Sequence, residues 1–516
     1  MLVRLVTVAI VANLLGSASI GLIAFAYSFI GLFLFLYQFG LDTAHMRKIA
    51  DGHDVGQCIG AYVLLKTVVT TLTTGLILTL IVTGGAFGYE VCTATEKTVI
   101  FIILASTVIG QLFSYPLATF TARKEIARKA TVGVLRSLLD LPTILLILLA
   151  FGMRNVVGLA LGHLVNEILA AAIGIVLYRR AARAEGYRLK IPAWPLLRGY
   201  IGFSLPMLGS LGLGCLAINI DLVMVKALVG NAASGNYYVV SRISTALLGI
   251  AAALITLVMP TASAFYARGQ TANIARLLRQ SERFLSLIIV FPVMGMFVFA
   301  EQIMMIFGED FTGIAPAIMR AFAVITFLYA VNRPLNSVTV IANRPWIDFH
   351  ITIVLSVANV VLNFILIPQS LFGVKMAGMG ALGSAVGTAI LGFVGFMISR
   401  MVARYLIGIR TYGGIALHLL AASAIGTACW LAKPYLLVGG RWEILLRTAG
   451  LGALAFAAYI GLLCLLREFT REDLRRILDM VNPAKLKAQF AQEIFNTPEK
   501  PCALTQARKI EEPVEV

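Results

Sequence analysis

The chain has 516 residues, of which 59% are hydrophobic and only 13% charged, and its mean hydropathy is +0.90. Soluble domains carry about 25% charged residues, so the soluble classes are excluded and a polytopic membrane protein remains. A formal net charge of +17 would suit a nucleic-acid partner, but the positions of the basic residues point to membrane topology instead, and no nucleic acid is expected.

Apolar runs long enough to span a bilayer number about 14. They lie near 2–15, 20–39, 59–83, 98–120, 131–151, 155–178, 199–229, 236–260, 282–301, 313–338, 347–368, 378–402, 411–432 and 443–466. The opening MLVRLVTVAIVANLLG has a weak basic region and no convincing cleavage site, so it reads as a first span and not as a cleaved signal peptide. Loops after even-numbered spans are basic. They hold Arg47 and Lys48, then Arg123, Lys124, Arg128 and Lys129, then Arg179, Arg180, Arg183, Arg188, Lys190 and Arg198. Further on come Arg268, Arg276, Arg279, Arg344, Arg400, Arg404 and Arg410. Loops after odd-numbered spans hold little beyond Lys97, Arg154, Lys375, Lys433 and Arg441. Lys/Arg bias of this kind sets orientation, so both termini are expected in the cytoplasm and the chain in the cytoplasmic membrane. The cysteines Cys58, Cys92, Cys215, Cys429, Cys464 and Cys502 lack C-x-x-C spacing and read as small apolar residues, with no metal site and no cofactor.

An internal echo divides the chain. LLGSASIG at Leu14–Gly21 matches LVGNAASG at Leu228–Gly235, aligning Gly16 with Gly230, Ala18 with Ala232 and Gly21 with Gly235. A parallel repeat offset by six helices suits two lobes that rock about a site between them. The expected architecture is all-α: a first lobe over 1–180, a basic linker over 181–198, a second lobe over 199–403 and two further helices over 404–466. Relative to span seven, span one reads as clipped. The end of the chain, 467–516, reads as a cytoplasmic amphipathic helix and a polar tail. Thr470 and Asp473 form its capping pattern, and Leu474, Ile477, Leu478 and Val481 its apolar stripe.

Spans seven and eight carry charge where an apolar slab would not tolerate it unpaired. Asp221 and Lys226 lie in the first and Arg242 in the second, joined by a short Gly/Asn/Ser turn. A charge near the centre of a membrane helix costs about 2.5–3.5 kcal/mol on insertion scales, so such residues line protein or a wet interior. At 1.5 Å per residue, Asp221 and Arg242 both fall roughly 10 Å from the outer surface and within reach of each other. Asp221 then reads either as the counter-ion of Arg242 or as a proton or sodium site.

FGLDTAHMRKIADG (Phe39–Gly52), FSLPMLGS (Phe203–Ser210), VGNAASGNYYVVSR (Val229–Arg242), IFGEDF (Ile306–Phe311), IANRP (Ile341–Pro345) and NVVLNFILIPQSLFGVKMAGMGALGSAVGTAI (Asn359–Ile390) follow one another in this order along the chain. Together they resemble polysaccharide-type flippases of the MATE-like multidrug/oligosaccharidyl-lipid/polysaccharide superfamily. The resemblance implies two six-helix lobes plus two helices, a polyprenyl-diphosphate-linked oligosaccharide as substrate, the lipid bilayer as partner, and glycan-assembly enzymes as candidate partners.

Such a substrate needs cations in a wet groove to replace the water of its phosphates. The candidates are Lys66 in span three, Arg136 and Asp140 at i,i+4 spacing in span five, Asp221, Arg242, and Arg320 in span ten, with Arg4 the one cation of span one. Arg136 and Asp140 equally suit a neutralised structural pair. Arg4, Lys226 and Arg333 equally suit snorkelling to an interface. His163 and Glu167, with Asn166 between them, share span six and suit a proton relay or a satisfied interior cluster. Asn359 and Asn363 suit a bridge between helices, and Pro206, Gly209, Gly212 and Gly214 give span seven room to bend. Two alternatives stay open: a cation-coupled multidrug exporter of the same fold, and a membrane glycosyltransferase or polymerase. The external carboxylates Glu90, Glu96, Glu301, Glu309 and Asp310 are few for the latter, and no nucleotide loop or catalytic triad is present, so a transporter and not an enzyme is expected.

Overall fold

The computed structural model describes residues 2–86, 93–436 and 438–470. Among them, 13 helices are long and apolar enough to cross a membrane. The first, α1 (Leu2–Leu32), is two arms in one, because Gly16 at φ 76° and ψ 177° interrupts it. The expected count of about 14 spans therefore stands. A residue with a Cβ is strained at this φ, so glycine is what lets the chain break there.

Helix α2 (Leu34–Gln38) continues the second arm, and Phe39 and Gly40, both at positive φ, turn the chain into the short α3 (Leu41–Ala50). Then come α4 (Val55–Ala86), α5 (Ala94–Leu112), α6 (Tyr115–Ala122), α7 (Ile126–Leu145) and α8 (Val156–Glu185). Polar caps set two of these starts. Thr93 and Glu96 form a capping box at α5, and the Asn155 side-chain oxygen accepts from the Gly158 N–H at 2.8 Å at α8.

Span seven is broken. It begins as α9 (Trp194–Ser204), tightens to a 3-10 turn over Leu205–Met207 and resumes as α10 (Leu208–Leu228). Pro206 sits in that turn, where its missing N–H forfeits a helical bond. The expected Gly/Asn/Ser turn after it shrinks to Val229 and Gly230, because α11 (Asn231–Ala267) takes the small polar residues into its first turns. The rest of the chain is α12 (Thr271–Val298), α13 (Ala300–Met305), α14 (Ala315–Asn336), α15 (Val338–Ile341), α16 (Pro345–Leu366), α17 (Ala381–Ile407), α18 (Gly414–Leu436) and α19 (Arg441–Leu465). A two-stranded hairpin, Ser370–Leu371 with Val374–Lys375, joins α16 to α17.

In lipid, helices associate by close packing and polar contacts, since the surroundings are as apolar as leucine. Helix α1 runs along α11, α12 and α17 run along α14, and α5 and α7 run along α8. Phe25, Ile103, Val225, Tyr237, Phe311 and Phe322 share the main apolar core between these helices. Helix α9 packs on α3 and α4, so the leading half of span seven sits against the first part of the chain while α10 faces α1 and α16. Helices α18 and α19 form an added pair on α12, with the Phe291 ring edge-on to Phe456 and tilted against Tyr459. The amphipathic helix and polar tail expected beyond Thr470 lie outside the described residues.

Candidate functional site

The two echo segments meet face to face. A Cβ on Gly21 would lie 1.8 Å from the backbone oxygen of Asn231, and one on Gly235 would lie 2.0 Å from the backbone oxygen of Ser17. The contact is reciprocal, since Asn231 is the echo of Ser17 and Gly235 that of Gly21. Only glycine allows two backbones to cross so closely. Gly230 repeats the break of Gly16, with φ 122° and ψ −178°. Polar bonds tie the same end together. The Ser17 N–H donates to Asp310 Oδ2 at 3.1 Å, Asn13 Nδ2 to the Ile306 carbonyl at 2.8 Å, and Asn231 Nδ2 to Glu96 Oε1 at 2.9 Å. Arg441 Nη2 donates to Asn13 Oδ1 at 2.6 Å and to the Met305 carbonyl at 2.7 Å.

On the far side of this joint lies a cavity of about 310 Å³ lined by α1, α7, α8 and α11. Its polar wall comprises Arg4, Thr7, Tyr27, Arg136, Asp140, His163, Asn166, Glu167, Tyr238, Arg242 and Thr245. Arg4 precedes Gly16 by as many residues as Arg242 follows Gly230, which sets both roughly 18 Å below the joint. Arg136 is ion-paired with Glu167. Asp140 Oδ1 lies 3.3 Å from His163 Nδ1 and accepts from Asn166 Nδ2 at 3.0 Å. The Tyr27 ring meets His163 edge-on at 5.7 Å, and the Arg242 guanidinium lies 4.4 Å from the Tyr238 ring centroid. Among the described residues Arg4 and Arg242 form no ion pair. Three arginines thus face two carboxylates, and the excess positive charge resides on the two arginines contributed by the echoed helices. Low-dielectric walls strengthen such a field, and a guanidinium presents a planar fork suited to phosphate oxygens.

Asp221 does not pair with Arg242. Its carboxylate accepts from Tyr237 Oη at 3.0 Å, Asn363 Nδ2 at 2.7 Å and Thr388 Oγ1 at 2.9 Å, enclosed among α10, α11, α16 and α17. The depth argument failed because α11 starts earlier than its apolar run. Arg242 therefore lies roughly 16 Å along α11, whereas Asp221 is roughly 10 Å from the end of α10. Nor do Arg136 and Asp140 pair with each other, or His163 with Glu167, since each bonds across to the neighbouring helix. Lys66 is outside the cavity: it is 2% exposed and its Nζ donates to the Tyr37 carbonyl at 2.9 Å, at the end of α2. Arg320 is also outside, paired with Glu301, which Lys433 shares at 2.5 Å. Lys226 does not snorkel: it is buried 3.5 Å from Glu96 Oε1 and 4.6 Å from the Phe25 ring centroid. Asn359 and Asn363 do bridge helices, Asn359 Nδ2 reaching Thr388 Oγ1 at 3.3 Å.

Residues 1–265 match the model of a family described as polysaccharide biosynthesis protein. The chain belongs to that family. It is accordingly a membrane transporter of polysaccharide biosynthesis, and not an enzyme. A curated relative, the Probable low-salt glycan biosynthesis flippase Agl15 of Haloferax volcanii, is 24% identical over 390 residues, covering 73% of this chain and 75% of the relative. Among solved structures the transporter is similar to the lipid II flippase MurJ in an inward closed conformation, with a TM-score of 0.68 at 14% identity, covering 89% of this chain and 95% of that one. It is also similar to an inward-facing multidrug resistance MATE family transporter, with a TM-score of 0.61 at 16% identity over 78% of this chain and 94% of the other. At such identities these likenesses establish the fold.

The pairings in this transporter's cavity carried a signal that spacing within one helix does not reveal. Spans five and six are antiparallel neighbours, and in antiparallel register the partner of 136 is 167 when that of 140 is 163. Arg136 opposite Glu167 then matches in charge, and Asp140 opposite His163 pairs an acceptor with a ring nitrogen. Arg4 was likewise marked by its distance to Gly16, equal to that of Arg242 to Gly230.

Proposed function

We propose that this transporter moves a polyprenyl-diphosphate-linked oligosaccharide across the cytoplasmic membrane by alternating access, for assembly of a surface glycan. The observation that carries the reading is the cavity shared by the two echoed halves, where Arg4 and Arg242 lack acidic partners. We assign the diphosphate to Arg4, Arg136 and Arg242, and the first sugar to the polar wall of Asp140, His163 and Asn166. The isoprenoid tail stays in the bilayer. The likeness to Agl15, a probable low-salt glycan biosynthesis flippase, and to the lipid II flippase MurJ supports the same substrate class.

The halves, residues 1–180 and 199–403, act as rocking lobes with both termini in the cytoplasm. The joint at Gly21 and Gly235 is then the outer closure, so the cavity faces inward. Asp221 serves coupling. Its neighbours are neutral oxygens and amides, and both Asn363 Oδ1 and Ser384 Oγ are buried without a partner. A buried carboxylate with no cation beside it calls for a proton or a small monovalent cation, for which those oxygens are suited donors.

The test is the leaflet distribution of lipid-linked oligosaccharide in cells lacking the transporter, read by lectin access to sealed right-side-out vesicles. The expected result is a pool trapped on the cytoplasmic side, released by wild type and not by Arg242→Ala. A normal distribution combined with lost export of an amphiphilic cation would replace this reading with drug export.

A further inference from the structure

The cavity wall holds a carboxylate that an anion site does not need. Glu167 lines the same space as Arg4, Arg136 and Arg242 and takes Arg136 as its partner. The Glu167 side chain is 12% exposed and that of Arg136 is 43% exposed, so the guanidinium projects into the cavity with the carboxylate behind it. Helix α5 makes room for this carboxylate at Gly110, where a Cβ would come within 2.6 Å of Glu167 Oε1. Asp140 is differently placed, since its Oδ1 is already engaged by His163 and Asn166. Among the described residues Arg136 is therefore the one cavity arginine paired with an internal anion.

A guanidinium carries five N–H donors in one plane, more than a single carboxylate can engage, and it bonds phosphate oxygens as readily as carboxylate oxygens. A diphosphate arriving between Arg4 and Arg242 brings more charge and more acceptor oxygens than Glu167 offers. We propose that Glu167 is an internal counter-anion, which the substrate's diphosphate displaces from Arg136 on binding and which reclaims Arg136 as the substrate leaves. The inference rests on the cavity being the diphosphate site and names the residue that limits affinity there. Three arginines on one diphosphate in a low-dielectric space would otherwise hold it against release. The exchange keeps Arg136 paired in both states, while Glu167 gives up its partner as the substrate binds, and that cost is what tempers the affinity.

The test titrates sugar-free undecaprenyl diphosphate into the full-length protein in nanodiscs and, separately, measures transport in vesicles. Glu167→Gln should bind about ten-fold more tightly, the effect of one charge-assisted bond no longer contested, and should transport more slowly. In an Arg136→Gln background the same change should have no effect on binding. Unchanged or weaker binding in Glu167→Gln overturns the exchange. So does equal tightening with and without Arg136, which would be a field effect alone. If Glu167→Gln fails to fold, Gly110→Ala displaces the carboxylate sterically without altering charge, and should tighten binding in the same direction by a smaller factor; unchanged or weaker binding overturns the proposal. Failure of the underlying reading is seen elsewhere: Arg242→Ala would then leave undecaprenyl diphosphate binding intact.

Discussion

Asp140 and Asp221 are both enclosed carboxylates within helical spans, yet their company differs. Asp140 faces a cavity, beside His163 and among three arginines. Asp221 faces a tyrosine hydroxyl, a threonine hydroxyl and an asparagine amide, with no cation among its bonded partners. The first arrangement leaves net positive charge next to open space and suits an anionic ligand. The second leaves net negative charge in a closed interior, which must be met by a proton or a small cation. On the function proposed above, one chain sets an anion site among α1, α7, α8 and α11 and a cation-demanding site among α10, α11, α16 and α17, with α11 common to both.

The strongest way to break the comparison is at the arginines. Replacing Arg4 and Arg242 together by Ala should weaken binding of the lipid-linked glycan on the order of a hundred-fold, since each removes a charge-assisted interaction of about 1.5–3 kcal/mol. Titration of the double variant in nanodiscs reads this directly, and unaltered affinity would dissolve the distinction between the two sites. Next, Asp221→Asn should abolish any sodium or pH dependence of the transport rate while changing headgroup affinity by less than about two-fold, as expected of separate sites. Loss of headgroup binding in that variant would merge the sites. Smaller in free energy, Gly235→Ala should destabilise the joint by about 1–3 kcal/mol, because its Cβ has no room beside the Ser17 carbonyl. It should lower thermal stability and leave fewer molecules in the closed arrangement, measurable by cysteine accessibility beside Gly16.

Hydropathy made about fourteen segments legible, and the glycine echo marked the chain as two related halves. Azimuth and depth were not legible. The residues Asn231–Gly235 look like a turn because they are small and polar, but once Gly230 supplies the reversal they are free to be helical, and Arg242 sinks by more than a turn. Spacing within one helix said that Arg136 and Asp140 share a face; it did not say that the face is packed on α8, whose Glu167, His163 and Asn166 engage both. Lys66 read as a cavity cation because it lies inside span three, where a charge needs a partner. It finds one in the Tyr37 carbonyl at the end of α2, where exposed carbonyls favour a cation.

The last expected effect, confined to acid pH, concerns the contact between α9 and the first part of the chain, the surface that any rocking motion must carry with it. His45 on α3 is fully buried, with Nδ1 2.9 Å from Tyr200 Oη on α9 and Nε2 3.2 Å from Thr119 Oγ1 on α6. Tyr200 in turn donates to the Cys58 carbonyl at 3.2 Å on α4. Burial lowers the His45 pKa to about 4, against a weaker upward pull from Asp42. In the unfolded chain the imidazole titrates near 6.5, so below that pH the unfolded state binds the proton that the native state refuses. Stability is then whole above about pH 6.5 and declines as pH falls towards 4, by ~2 kcal/mol between pH 7 and pH 5. His45→Gln retains polar atoms at the site and cannot titrate, so its melting temperature should vary less with pH over that interval. Equal acid sensitivity in the two proteins would mean that this junction is not where protonation loosens the fold.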